Sequence, residues 1–280
     1  SDSLAGFRME IDGGVPDRQD ISFVGAQHVF DLAQARCNVD SIALGACGCD
    51  FETDVIGGNT FDYPALHGRS VAAAGYSFCS ASLKAVERGE AALEQYPAVD
   101  LILGKQRTTT IGRGVQEPAF ATFSPELQGA LRRYLAGGGA LFASGAYVAS
   151  DLWAEEAPDA GRAFAEEVLH CALDTGRAAE RGRVRVMTAH KDFSRGEYRF
   201  NDEYRPDRYI VESPDALKPV GEGAFAVMRY VESGRTAGVA CEAEGRTFVV
   251  GFPFESILSH TERDRLMRDA LRFLLNENIR

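Results

Sequence analysis

The chain has 280 residues, 45% hydrophobic and 25% charged, which suffices for a sizeable core in one large domain or two small ones. Its formal net charge of −11 argues against a nucleic-acid partner, which would need a surplus of Lys and Arg on some face. No apolar run approaches the roughly 20 residues that cross a bilayer, and "SDSLAGF" lacks the basic and apolar regions of a signal peptide, so any leader is expected to be absent or removed.

Residues 1–64 are rich in Gly, Asp and polar residues and carry turn clusters, "DGGVPDRQD" and "GGNTFDYP", without a sustained period of either kind. They read as an irregular excursion over a core. From Ala65 the pattern changes. "ALHGRSVAAAG" suits a helix, "YSFCSAS" a short strand, and "SLKAVERGEAALEQY" an amphipathic helix capped by Ser82. "AVDLILG" is a continuous apolar strand of the kind buried on both faces. "SPELQGALRRYLAGG" follows as a helix with Ser124 as cap, Pro125 in the first turn, and Leu127, Leu131, Tyr134 and Leu135 on one face. "GALFASGAYVASDLW" is a buried strand running into a turn, and "GRAFAEEVLHCAL" reads as a helix.

This alternation over residues 65–182 has the spacing of βαβ units and predicts a parallel sheet covered on both faces. Over residues 183–280 the rhythm shifts to short strands, "RVRVM", "GEYRF", "RYIVES", "FAVMRYVES", "TAGVACEAEG" and "RTFVVGF", with a hairpin at "EAEGR". "TERDRLMRDALRFLL" closes the chain as a helix. The whole reads as a single α/β domain whose C-terminal third is an antiparallel extension, a last strand and a helix. A doubly wound sheet normally opens on an apolar strand, for which "DISFVG" is the candidate unless that strand lies upstream.

Six cysteines, Cys37, Cys47, Cys49, Cys79, Cys171 and Cys241, are scattered, and only "ACGC" brings two together. C-x-C alone lacks the paired spacing of a zinc site, so neither metal nor cofactor is expected. "AGGGA" precedes its strand and lacks the Lys-Ser/Thr of a phosphate loop. His28, His170 and His190 are isolated.

Ligand sites on open α/β sheets lie beyond the carboxyl ends of the strands. Three such ends stand out: "LILGKQRTTTIGRG", "LFASGAYVASDL" and "VVGFPFESI". The middle one has the small-x-nucleophile-x-small layout of a nucleophile elbow, but Tyr147 occupies its centre, and a tyrosine with a pKa near 10 is a poor acyl nucleophile. The first concentrates Lys105, Gln106, Arg107, three threonines and Arg113 in a strongly acidic protein. Long polar loops at that end often carry function, with a solvated loop as the alternative. "EYRFNDEYRPDRY" could stack a sugar on its tyrosines but reads more simply as a solvated hairpin.

"GGALFASGAYVASDL" with "VVGFPFES" resembles the class I glutamine amidotransferase-like family, whose elbow carries G-x-C-x-G and whose last strand ends near F-H-P-E. By that resemblance Tyr147 stands where the nucleophilic Cys would be and Pro253 where the triad His would be, while Glu255 is retained. "GNTFDYPALHG", "AAGYSFCSAS", "LILGKQ", "ASGAYVASDLW" and "VVGFPFE" together resemble the amidotransferase-like region of exported bacterial proteins labelled xanthan lyases. The resemblance implies a flavodoxin-like, doubly wound, mostly parallel sheet with the antiparallel hairpin extension. It also implies an exported setting and a degenerate triad. The function it implies is binding or structural, in a protein that handles polysaccharide, with an acidic oligosaccharide or neighbouring domains as partners. The ligand-binding candidates are Lys105, Arg107, Arg113, Tyr147 and Glu255. Two rival readings stand beside this one. The first is a carbohydrate lyase or hydrolase acting through Lys105, Tyr147 and Glu255. The second is a cysteine hydrolase in which Cys79, flanked by small residues, pairs with His67 or His260.

Overall fold

The computed structural model describes residues 63–109, 118, 120–203, 205, 208–243 and 245–276. "DISFVG", Arg113, His28, Cys37, Cys47 and Cys49 lie outside them. Helix α1 (Tyr63–Ala73) is followed by the single turn α2 (Leu83–Glu87), strand β1 (Ala98–Gly104), helix α3 (Pro125–Ala136) and strand β2 (Ala140–Gly145). Helix α4 (Asp159–Glu167) leads to strands β3 (Cys171–Thr175), β4 (Arg183–Val186), β5 (Glu197–Arg199) and β6 (Ala216–Pro219). Strands β7 (Ala224–Tyr230), β8 (Thr236–Cys241) and β9 (Thr247–Val250) precede the last helix, α5 (His260–Leu275).

Local chemistry sets several of these boundaries. The Ser124 hydroxyl accepts the Leu127 N–H at 3.2 Å and Pro125 occupies the first turn, so α3 starts where its sequence says it should. Ser82 caps α2 in the same way, accepting the Ala85 N–H at 3.1 Å. That helix stops after one turn rather than running to Tyr96, because Gly89 takes a left-handed conformation with φ of 74°.

The sheet order is β1-β2-β9-β8-β7-β4-β5, with β3 and β6 paired apart as an antiparallel ribbon. Only β1, β2 and β9 run parallel, while β8, β7, β4 and β5 continue the sheet antiparallel. The expected flavodoxin-like, mostly parallel, doubly wound sheet is therefore wrong. The reason is connection length: the short loops after Tyr230 and Cys241 can join only antiparallel neighbours, and parallel strands need a long crossover. The hairpins are thus the larger part of the sheet rather than an appendix to it.

Three local expectations also fail. "YSFCSAS" forms no strand, and "RYIVES" makes no strand beyond an isolated bridge from Arg208 to Arg205. "HCAL" leaves the helix: His170 adopts φ of 55°, and Cys171 begins β3, which pairs with Ala216–Pro219.

Two cores sandwich the sheet. Along β2, Ala140 and Phe142 face one core while Leu141 and Ala143 face the other, and along β9 Phe248 and Val250 oppose Val249 in the same way. The first core is closed by α5 through Leu266, Met267, Ala270 and Phe273, and the second by α3 and α4 through Leu127, Leu131 and Phe164. Phe142 stacks on Phe248 at 5.3 Å and meets Phe254 edge-on at 5.9 Å. Each such fully buried side chain contributes about 1.5–3 kcal/mol, so this centre fixes the strand ends rigidly. No helix among the described residues is long and apolar enough to cross a membrane.

Candidate functional site

The carboxyl ends of β1, β2 and β9 come together at one edge of the sheet, and two dissimilar assemblies are built there. The first is a buried ionic chain. Asp100 interrupts the apolar run of β1, and a carboxylate at such a place needs a partner. It finds His67 of α1: Nδ1 lies 2.7 Å from Asp100 Oδ2, while Nε2 lies 3.2 Å from Glu255 Oε2. His67 and Glu255 are 2% and 1% exposed. Burial alone would push the imidazole pKa down, but the charge and hydrogen bond of Asp100, reinforced by Glu255, raise it to about 9. His67 is therefore an imidazolium that donates from both nitrogens. The Tyr209 hydroxyl donates to Glu255 Oε1 at 2.7 Å, and Arg208 Nη1 donates to the Glu255 carbonyl oxygen at 2.7 Å. Gly104 lies beside this carboxylate. Its φ of 53° suits glycine, and a Cβ there would stand 3.4 Å from Glu255 Oε1.

The second assembly is an open cleft of about 630 Å³. One wall is the loop after β1, with Arg107, Thr108 and Thr109; the opposite wall is Gly176 and Arg177, after β3. Tyr147, Ser150 and Asp151 rise from the turn after β2, and Ser213 completes the lining beside them. The Arg107 guanidinium lies 5.0 Å from the centre of the Tyr147 ring, a cation–π contact. Burial raises the Tyr147 pKa above its usual value, with Arg107 opposing it, so the phenol stays protonated. Asp151 is a brace. Its Oδ1 accepts the Thr108 N–H at 2.8 Å, and its Oδ2 accepts the Thr108 hydroxyl at 3.0 Å and the Thr122 N–H at 2.8 Å.

The sequence-derived candidates divide between these assemblies. Tyr147 and Arg107 line the cleft. Lys105 does not: its Nζ pairs with Glu212 at 2.7 Å and sits 5.9 Å over the Tyr209 ring, on the divide between the two assemblies. Glu255 belongs to the buried chain, and Pro253 to the backbone that opens its 3-10 turn. Cys79 is exposed, and His67 has both ring nitrogens engaged with carboxylates, which leaves none to activate a thiol. His260 begins α5 on the surface. Arg177, Asp151 and Asp100 were not singled out from sequence. The signal for Asp100 was legible as a charge inside "AVDLILG". Arg177 gave none, because its loop follows a strand that read as helix. Among the described residues, no group of three or more His, Cys, Asp or Glu side chains could hold a metal ion.

No family model matches the sequence, and the comparison with curated proteins gives no match. Among solved structures the chain is similar to the cold-adapted β-galactosidase from Rahnella sp. R3, at 14% identity and a TM-score of 0.47, over 76% of this chain and 26% of that one. It is likewise similar to a catalytic mutant of Gan42B, a GH42 β-galactosidase from G. stearothermophilus, at 10% identity and a TM-score of 0.47, over 75% and 25% of the two chains. The mmIFT52 N-terminal domain matches at 11% identity and a TM-score of 0.44, over 78% of this chain and 92% of that one. The chain spans about a quarter of the length of these β-galactosidases.

Proposed function

We propose that this chain is a non-catalytic, amidotransferase-like module that binds an acidic oligosaccharide in the cleft, within an exported protein that handles polysaccharide. The observation that carries the reading is charge imbalance. Arg107 and Arg177 both line the cleft, and neither guanidinium pairs with a carboxylate among the described residues. The one acid in the lining among the described residues, Asp151, is already engaged by three donors. Both arginines are exposed, so a ligand carboxylate can reach them, and the planar fork of Arg suits a carboxylate better than a neutral hydroxyl does. The hydroxyls of Thr109 and Ser213 can meet sugar hydroxyls around it.

The resemblance to the region found in exported proteins labelled xanthan lyases supports the class of ligand and the exported setting. The non-catalytic part of the reading is supported by the occupants of the triad positions. Tyr147 is a protonated phenol where a thiolate would be needed, Pro253 cannot shuttle protons, and Glu255 is bound to His67 and Tyr209.

Calorimetric titration with a glucuronate-containing oligosaccharide and its neutral counterpart tests the reading. Each direct carboxylate contact is worth roughly 1.5–3 kcal/mol, so Arg107→Ala and Arg177→Ala should each weaken binding of the acidic ligand at least about tenfold. Equal affinity for the two ligands, or indifference to both substitutions, would sink it.

A further inference from the structure

Beneath the cleft floor lies an acid that the binding reading does not use. Asp215 immediately precedes β6 and is fully buried. Its Oδ2 accepts the N–H of Ala149 at 2.9 Å and of Ser150 at 2.8 Å, which ties it to the turn that carries Tyr147 and Ser150 into the cleft. Among the described residues its Oδ1 accepts no hydrogen bond of good geometry, although the Ser150 hydroxyl is close enough to pull its pKa down. Gly176 and Ser150, both in the cleft lining, lie next to that oxygen. A Cβ on this cleft-lining glycine would stand 3.7 Å from Oδ1, and the next residue is Arg177. The position is fixed from below as well: the Tyr230 hydroxyl donates to the Asp215 carbonyl oxygen at 2.7 Å, and the Asp215 N–H donates to the Gly251 carbonyl oxygen at 2.8 Å.

We propose that Asp215 links proton uptake to anion binding in the cleft: its protonation removes a negative charge from under the floor, and an anion held by Arg107 and Arg177 then binds more tightly. The inference rests on the reading of the cleft as an anion site and adds its regulation. The groups around the carboxyl leave it to act alone. Tyr230 of β7 is kept neutral by burial, and burial pushes Cys171 of β3 up to about 12. Asp151 of the turn is the neighbouring acid, and Arg177 stands on the loop above. Burial pushes Asp215 itself up to about 7, against the pull of the Ser150 and Ala149 amides, so it changes charge near neutrality. The linkage is reciprocal: whatever protonation adds to anion affinity, the bound anion adds to the proton affinity of Asp215.

Two probes of constant charge between pH 6 and 8.5, a glucuronate oligosaccharide and inorganic sulfate, test this by calorimetry. Removing one charge from under the floor should tighten binding about three- to tenfold from pH 8.5 to 6 in the native protein. In Asp215→Asn the dependence should vanish. An unchanged pH slope in that variant, or a flat profile in the native protein, overturns the proposal. Sulfate binding with the expected pH law but no uronate binding would keep the linkage and sink the oligosaccharide reading. Failure of both anions to bind at pH 6 overturns both. Carbon-13 titration of the aspartate carboxyls in the native protein gives a readout free of any folding defect in the variant. One carboxyl should titrate near 7 and move upward when sulfate is added, and its absence counts against the proposal.

Discussion

Two assemblies share the carboxyl edge of the same three strands, and they treat charge in opposite ways. In the buried chain one cation serves two acids: His67 lies between Asp100 and Glu255, the Tyr209 hydroxyl bonds to the Glu255 carboxylate, and Arg208 bonds to the Glu255 carbonyl oxygen. In the cleft the acid is engaged by three donors, while neither arginine pairs with a carboxylate among the described residues. A closed network holds a fold together, because its parts lose more by separating than any ligand could return. An open one is poised to gain from a ligand. Glu255, singled out from sequence by resemblance alone, falls in the closed network, whereas Arg177, which the sequence did not single out, falls in the open one.

The sharpest way to break this contrast is to open the closed network. His67→Ala leaves Asp100 and Glu255 facing each other without the cation between them. Breaking a buried pair on one side typically costs about 3–5 kcal/mol. Urea unfolding should register a loss of that size, with anion binding unchanged in the fraction that stays folded. A cost below about 1 kcal/mol would show that the buried ionic chain does not hold the fold together.

The same network predicts a pH window. His67 has its pKa raised to about 9 in the folded protein against an ordinary 6.5 in the unfolded chain. A raised histidine contributes in full below about pH 6.5, and that contribution is lost as pH rises through 9. The difference corresponds to about 3 kcal/mol. Urea midpoints compared between pH 6 and pH 10 should therefore fall more steeply in the native protein than in His67→Gln. Parallel profiles would mean that the imidazole is neutral throughout.

Much of the scaffold for both assemblies was legible in the sequence. The apolar runs of β1, β2 and β9, each ended by glycine, announced buried strands that stop at a rim, and Ser124 with Pro125 announced α3. What was not legible is non-local. "YSFCSAS" has strand composition, yet a strand exists only by its partners. "HCAL" continues a helical pattern, and only the pairing of Cys171–Thr175 with Ala216–Pro219 turns it into β3. That misreading hid Arg177, because the residue after an unrecognised strand cannot be placed at its end. His67 was noticed only as a partner for Cys79, since Asp100 and Glu255 lie 33 and 188 residues away in the chain.

A smaller effect sharpens the cleft side of the contrast. Asp151 braces the loop that carries Arg107, through Thr108 and Thr122. Asp151→Ala removes the acceptor of three bonds, two of them exposed to water, and should cost about 0.5–1.5 kcal/mol of stability. It should also weaken anion binding severalfold, because Arg107 loses its fixed position. Asp151→Asn, which keeps one acceptor oxygen, should restore part of both. If binding instead tightened in Asp151→Ala, the acid's own charge would outweigh its bracing role.

The smallest expected effect is the most informative about chemistry. If the cleft only binds, Tyr147 acts through its ring, as the platform under Arg107, and its hydroxyl contributes little. If the cleft is a lyase site, the phenolate is the base that abstracts the proton, and the hydroxyl is indispensable. Burial raises the Tyr147 pKa above its usual value while Arg107 opposes it, which favours the neutral phenol near pH 7. Tyr147→Phe keeps the ring and should change uronate affinity by less than about twofold. Tyr147→Ala removes the cation–π platform and should weaken binding about three- to tenfold, in keeping with the usual worth of such contacts. Both measurements run alongside an ultraviolet assay for the unsaturated uronate that β-elimination produces. Product formation by the native protein that disappears in Tyr147→Phe would replace the binding module with an enzyme.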